Sequence, residues 1–379
     1  MMGTSVSVLR RRNLLDNENR EDTPEQMENP NGDAPKLFKG KDFLQLKYDK
    51  SELDRIMASA NKKLVLGMGG GCDVFVAYTL ACQLNRGVGE DVPETDDIEG
   101  PGEFLYANCI SERRDGIPSD HLVLVENSLY AVPPGRRRPL VKNQNTYGTT
   151  LLEQSVPRGA DSSPLLFELK GHKNVETEAA VEELVAENTR RLHAALDHLG
   201  VDLVICVDSG GDSLTGGVDW KCNVITGRDQ QVISAMRRYK DEHKSFRFIH
   251  IVLGPGCDAE TSPQRMVDEV WKTGLNEHLP WCSNREYLGT FCLEDMIPET
   301  FKMVRSLAPN RTPFIMYRAL MNTEDYHLDP PQPGEEGYSS EQGDVVKIER
   351  HGNYQVIPRS WLYHGLAFQY GETMTAENL

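Results

Sequence analysis

The chain has 379 residues, enough to bury a large core within a single α/β body. Lysine and arginine total 41 against 58 for aspartate and glutamate, and the resulting charge of −17 opposes attraction to phosphate backbones or anionic lipid, so no nucleic-acid partner is expected. No apolar run reaches the roughly eighteen residues of a membrane span and no apolar h-region follows the N-terminus, so the expectation is a cytoplasmic protein with no membrane partner.

Residues 1–37 are polar and rich in Asn, Asp and Glu, with too few apolar groups to offset the entropy of ordering, and read as a disordered tail. Arg10, Arg11 and Arg12 suggest a presequence fragment, but the acidic stretch at 17–28 argues against one. Gly3 follows two methionines, so the N-myristoylation pattern is not met. Residues 63–66 form the first apolar run, followed by glycines and an apolar helix at 74–84. An acidic Pro/Gly-rich loop at 89–102, a strand at 121–126 and a basic loop at 133–138, read as solvated, come next.

The next helix is predicted from Asn174, as N-cap, to Gly200, as stop, with apolar residues on one face. It leads into a strand at 202–207. A helix at 230–240, a strand at 246–253 and a helix at 262–271 repeat the order. A helix at 298–307, a strand at 313–317 and a loop at 329–344 follow, and residues 345–348 and 354–357 read as a β-hairpin. Strands alternating with helices predict a Rossmann-like open, mainly parallel sheet with helices on both faces, a single domain over 38–372 with a C-terminal hairpin addition.

Three apolar runs share one ending. Leu64, Val65 and Leu66 run into Gly67, Gly69, Gly70, Gly71, Cys72 and Asp73; Val204 to Val207 run into Asp208, Ser209, Gly210, Gly211, Asp212 and Ser213; Ile251 to Leu253 run into Gly254, Gly256, Cys257 and Asp258. Ligands of open α/β sheets sit beyond the carboxyl ends of the strands, so three such endings predict one shared crevice. The dinucleotide fingerprint is not met, because its third glycine would fall at Cys72. Gly67, Gly69, Gly70 and Gly71 still suit an anion cradle at a helix start. The two carboxylates and two hydroxyls of the second ending suit Mg²⁺ at Asp208 and Asp212, or hydrogen bonds to a sugar or amine; an Asx-turn explains Asp208 equally well. Asp258 and Glu260 add carboxylates at a presumed helix entrance, where capping alone accounts for one of them. Glu112 is a further acid, and Arg113 a cation that compensates them.

Eight cysteines include no CxxC pair and no zinc-finger spacing, so structural zinc is not expected. Cys72 and Cys257 each precede the aspartate of a glycine turn, which leaves a cysteine-dependent hydrolase as one reading.

The segments Gly69-Gly70-Gly71-Cys72-Asp73-Val74, Ser111-Glu112-Arg113, Val207 through Leu214, Gly254 through Thr261 and Thr312-Pro313 together resemble an uncharacterised archaeal and actinobacterial family, domain of unknown function 1152. The resemblance covers most of residues 62–370. The chain departs from it at Cys72, which interrupts a Gly-Gly-Asp, and at Ala259, where the family has glycine. No activity comes with the family, so the resemblance implies a site and leaves the reaction open. The reading from the residues is an enzyme that binds a phosphorylated or nucleotide-type small molecule, with Asp212, Asp258, Glu260 and Glu112 as acid/base groups and Gly254, Gly256, Ser209, Gly210, Gly211, Ser213, Asp73 and Arg113 in the binding rim. A non-catalytic metabolite sensor is its rival, and a homo-oligomer is compatible with either.

Overall fold

The computed structural model describes residues 55–69, 73–86, 104–111, 123–126, 128–132, 164–170, 177–215, 227–258, 263, 265–267, 285–292, 312, 316, 339–342, 345–350 and 353–370. In chain order the strands are β1 (Lys63–Gly67), β2 (Phe104–Ser111), β3 (Val123–Glu126), β4 (Leu129–Ala131), β5 (Leu165–Leu169), β6 (Leu203–Ser209), β7 (Arg247–Leu253), β8 (Arg285–Cys292), β9 (Ser339–Gln342), β10 (Val345–Arg350), β11 (Asn353–Pro358) and β12 (His364–Tyr370). The helices used below are α1 (Asp73–Arg86), α2 (Glu178–Leu199), α3 (Asp212–Thr215) and α4 (Arg228–Glu242).

Nine strands make one sheet in the order β3-β4-β5-β2-β1-β6-β7-β12-β8. The central strands β5, β2, β1, β6 and β7 run parallel. β4 and β12 pair antiparallel with the two outer strands of that parallel set. Every residue of β1 and β6 is buried, which is why both read in the sequence as unbroken apolar runs.

Alternate residues of a strand face opposite sides, and the core divides accordingly. Val65, Ile205 and Val207 pack with α1 through Val74, Phe75, Ala77 and Leu80. Leu64, Leu66, Val204 and Cys206 pack on the other face with Leu192, Ala195 and Leu196 of α2 and Val232, Ile233 and Met236 of α4. The placement follows from topology. The β1 to β2 step moves across the sheet one way and the β6 to β7 step the other, so right-handed crossovers put their helices on opposite faces. Each fully buried aliphatic side chain contributes about 1.5–3 kcal/mol.

Helix α2 starts three residues later than the sequence suggests. Thr177, rather than Asn174, is the N-cap, its hydroxyl accepting from the Ala180 N–H at 3.2 Å, while Gly200 ends the helix at φ 60° as expected. Strands β2, β5, β8 and β12 were not expected from the sequence. Each carries a polar residue or glycine that breaks its apolar pattern: Asn108, Glu168, Gly289 and Gly365. The C-terminal hairpin is present as β10 and β11, but the loop expected over 329–344 holds a third strand, β9, paired to β10. Met316 is helical where a strand was expected over 313–317. The helix expected over 298–307 and the loops at 89–102 and 133–138 lie outside the described residues, as does the tail at 1–37.

Candidate functional site

β1 ends at Gly67, and the chain turns so that α1 opens on Asp73. The Asp73 carboxylate reaches back into the turn. Its Oδ2 accepts the Gly69 N–H at 2.6 Å and its Oδ1 accepts the Ser209 hydroxyl at 3.3 Å, which ties the first glycine turn to the second across 136 residues. Asp73 is only 4% exposed, and burial pushes its carboxyl up to about 7. The Gly69 N–H opposes that rise, the charge of Asp212 adds to it, and the Ser209 hydroxyl and Arg228 oppose it.

At the end of β6, Asp208 and Ser209 precede Gly210 and Gly211, and α3 begins at Asp212. The Ser213 N–H donates to Oδ2 of Asp208 at 3.3 Å and to Oδ1 of Asp212 at 3.1 Å. A third aspartate, Asp229 in the first turn of α4, meets these two: one carboxylate oxygen from each of Asp208, Asp212 and Asp229 lies within 4.8 Å of the others. Burial, then the charges of Asp212, Asp229 and Asp73, hold Asp208 well above the usual carboxylate range. Burial, then Asp212 and Asp73, do the same to Asp229. Arg228 moderates both Asp73 and Asp229, and its Nη1 donates to the carbonyls of Gly69 at 2.8 Å and Cys109 at 3.3 Å.

The third turn closes on the second. Gly210 N–H donates to the Leu253 carbonyl at 3.0 Å, and Gly256 N–H donates to the Gly210 carbonyl at 2.5 Å. The Asp258 carboxylate, 2% exposed, lies against the Cα of Gly210. Gly254 and Gly256 instead face the buried side chains of Met316 and Ile357. Gly67 packs against the side chain of Asn108 and the start of α1, so its smallness serves the joint between β1 and α1. Cys257 is fully buried in the apolar cluster around Val252 and Leu253.

Behind the carboxylates runs a buried polar line. Ser213 Oγ lies 2.9 Å from Nε2 of His250, and Nδ1 of His250 lies 3.0 Å from the Tyr370 hydroxyl. Burial, helped by the charge of Arg285, pushes His250 down to about 3, so the imidazole is neutral and joins two hydroxyls. Gln230 donates to the Ser213 carbonyl at 2.9 Å and Arg285 to the Leu214 carbonyl at 3.0 Å, pinning the short helix α3 from both sides.

Of the residues singled out in the sequence, Gly69, Asp73, Asp208, Ser209, Gly210, Gly211, Asp212, Ser213 and Asp258 come together beyond the ends of β1, β6 and β7. Gly70, Gly71, Cys72, Glu112, Arg113 and Glu260 lie outside the described residues. Sequence reasoning missed Arg228, Asp229 and His250. A charged pair opening a helix gives the first two a faint signal; a histidine inside an apolar strand gives the third almost none. The chain matches no protein-family model, no curated protein and no solved structure.

Proposed function

We propose that this chain is a Rossmann-like enzyme that binds a phosphorylated or nucleotide-type small molecule in the crevice beyond β1 and β6, with Mg²⁺ as its cofactor. The observation that carries the reading is the gathering of strand-end carboxylates where the strand order reverses: Asp73 follows β1, Asp208 lies at the end of β6, and β1 and β6 are neighbours. Taken in chain order, the parallel strands β1, β2, β5, β6 and β7 lie third, second, first, fourth, fifth across the sheet, the order of dinucleotide-binding halves.

The chemistry divides among the residues by environment. Asp208 and Asp212 hold the cation, which supplies the positive charge that a phosphate needs among these acids. Asp73, with its carboxyl pushed up to about 7, is matched to proton transfer near neutral pH. Asp258 positions a substrate hydroxyl or water at the rim of the second and third turns, with Glu260 and Glu112 as further acids. By residue type, Gly70 and Gly71 are assigned to the anion and Arg113 to its charge, the Gly69 N–H being taken by Asp73.

A thermal-shift series tests this with ATP, ADP and ribose 5-phosphate, each with and without Mg²⁺. A midpoint rise with at least one phosphate compound is expected, and turnover of that compound by wild type but not by Asp73→Asn. No shift with any of them removes the reading. A bound compound that stays chemically unaltered replaces the enzyme with a metabolite sensor.

A further inference from the structure

Resting on the crevice reading above, we propose that Asp229 is the third protein ligand of a hard divalent cation, completing with Asp208 and Asp212 a site of the Mg²⁺ class. The sequence marks Asp208 and Asp212 by their glycine turn, but Asp229 arrives from another element, the first turn of α4. The donor set is oxygen throughout, which suits Mg²⁺, Mn²⁺ or Ca²⁺ over metals that seek thiolate or imidazole. Its dimensions agree. Oxygens on opposite sides of an octahedral Mg²⁺ stand about 4 Å apart, and those around Ca²⁺ about 5 Å, which brackets the 4.8 Å within which the three oxygens lie.

A second observation separates this cluster from an ordinary acidic patch. Asp229 is 9% exposed, and among the described residues its Oδ1 accepts no hydrogen bond. That oxygen stands over the β1 turn, 3.3 Å from where a Cβ on Gly69 would be. A buried carboxylate oxygen without a donor is destabilising unless something positive meets it. The Asp229 and Asp212 carboxylates also lie within hydrogen-bonding reach of each other, an arrangement that needs a proton or a cation between them. A metal answers both demands, and a shared proton answers only the second.

The test is a Mn²⁺ titration of the full chain, stripped with EDTA and followed by electron paramagnetic resonance, with no phosphate compound present. One saturable Mn²⁺ site displaced by Mg²⁺ is expected, weakened by about tenfold or more in Asp229→Asn. Asp229→Asn should keep a thermal midpoint in EDTA at or above that of wild type, because it removes a buried acid whose ionisation burial, Asp212 and Asp73 oppose. Should it fail to fold, the half-buried Asp212→Asn takes its place with the same expected loss. Absence of saturable Mn²⁺ binding by wild type, or wild-type affinity in a folded variant, overturns the proposal in favour of the shared proton. Metal binding lost in Asp229→Asn without any phosphate-induced shift keeps the cation site and discards the phosphate reading. Phosphate binding that ignores both metal and variant does the reverse.

Discussion

At Gly210 the backbone has φ 127°, and a Cβ there would stand 2.0 Å from Oδ2 and 2.4 Å from Cγ of Asp258. Asp258 is buried, so it cannot swing clear into solvent. Gly210→Ala should therefore combine backbone strain with overpacking and cost about 3 kcal/mol or more. Gly200 gives the contrast. It too is left-handed, at φ 60°, but nothing lies within 4 Å of its absent Cβ, so Gly200→Ala should cost only about 1–2 kcal/mol. Urea midpoints at unchanged slope measure both, and a larger loss at Gly200 would refute the account of the Gly210 turn. Arg228→Met should move the Asp73 titration above about 7, because the guanidinium is one of the influences holding it down. Carboxyl carbon chemical shifts followed against pH would show it; an unmoved midpoint would mean that Arg228 does not act on Asp73. Asp73, Asp208 and Asp212 were legible in the sequence because glycine turns flank them. Asp229 was not, since nothing in a helix opening with Arg-Asp says which face it turns to the sheet, and His250 sits between Ile249 and Ile251 like any core residue.

Among the elements, β12 contributes no ligand-facing group singled out in the sequence, yet it seals one side of the site. It pairs with β7 along Ile249 to Leu253, and its Tyr370 hydroxyl meets His250. Leu366, Phe368 and Tyr370 are fully buried, so Phe368→Ala should cost about 3–5 kcal/mol, through lost burial and the cavity left behind. Thr177→Ala, which removes one cap bond from the exposed start of α2, should cost about 1 kcal/mol. Calorimetric midpoints of the two variants compare them directly, and equal losses would mean that β12 is loosely packed. The physical reason that β12 escaped sequence analysis is visible in the same residues. A strand entered through His364-Gly365 and carrying Gln369 has neither the unbroken apolar run of β1 and β6 nor strict alternation. The parallel core was legible because burial on both faces writes itself into composition, whereas the antiparallel strands flanking that core carry a weaker pattern. The start of α2 was misplaced for a similar reason: Asn174 and Thr177 both satisfy the local rule for an N-cap.

For the whole molecule, topology and charge meet at one edge of the sheet. The chain carries −17 overall, and the end of β6 and the first turns of α1 and α4 bring Asp208, Asp73 and Asp229 to a place where burial raises all three. For Asp73 the folded state keeps, up to about pH 7, a proton that the unfolded chain releases near 3.8, so stability falls as pH rises between those values and is level above them. Asp208 and Asp229 act in the same direction. His250 opposes them. Held down to about 3 against 6.5, it refuses a proton that the unfolded chain accepts, so its contribution is intact above 6.5 and is lost as pH falls toward 3. Three carboxylates outweigh one imidazole, so the metal-free protein should melt at a higher temperature at about pH 5 than at about pH 7.5. His250→Gln should widen that difference, and saturating Mg²⁺ should shrink or invert it by stabilising the ionised carboxylates at neutral pH. Scanning calorimetry in EDTA and then in Mg²⁺ reads all three effects. A metal-free midpoint that is equal or higher at the neutral pH would mean that these carboxylates ionise at no cost, and so that the crevice admits enough water to solvate them.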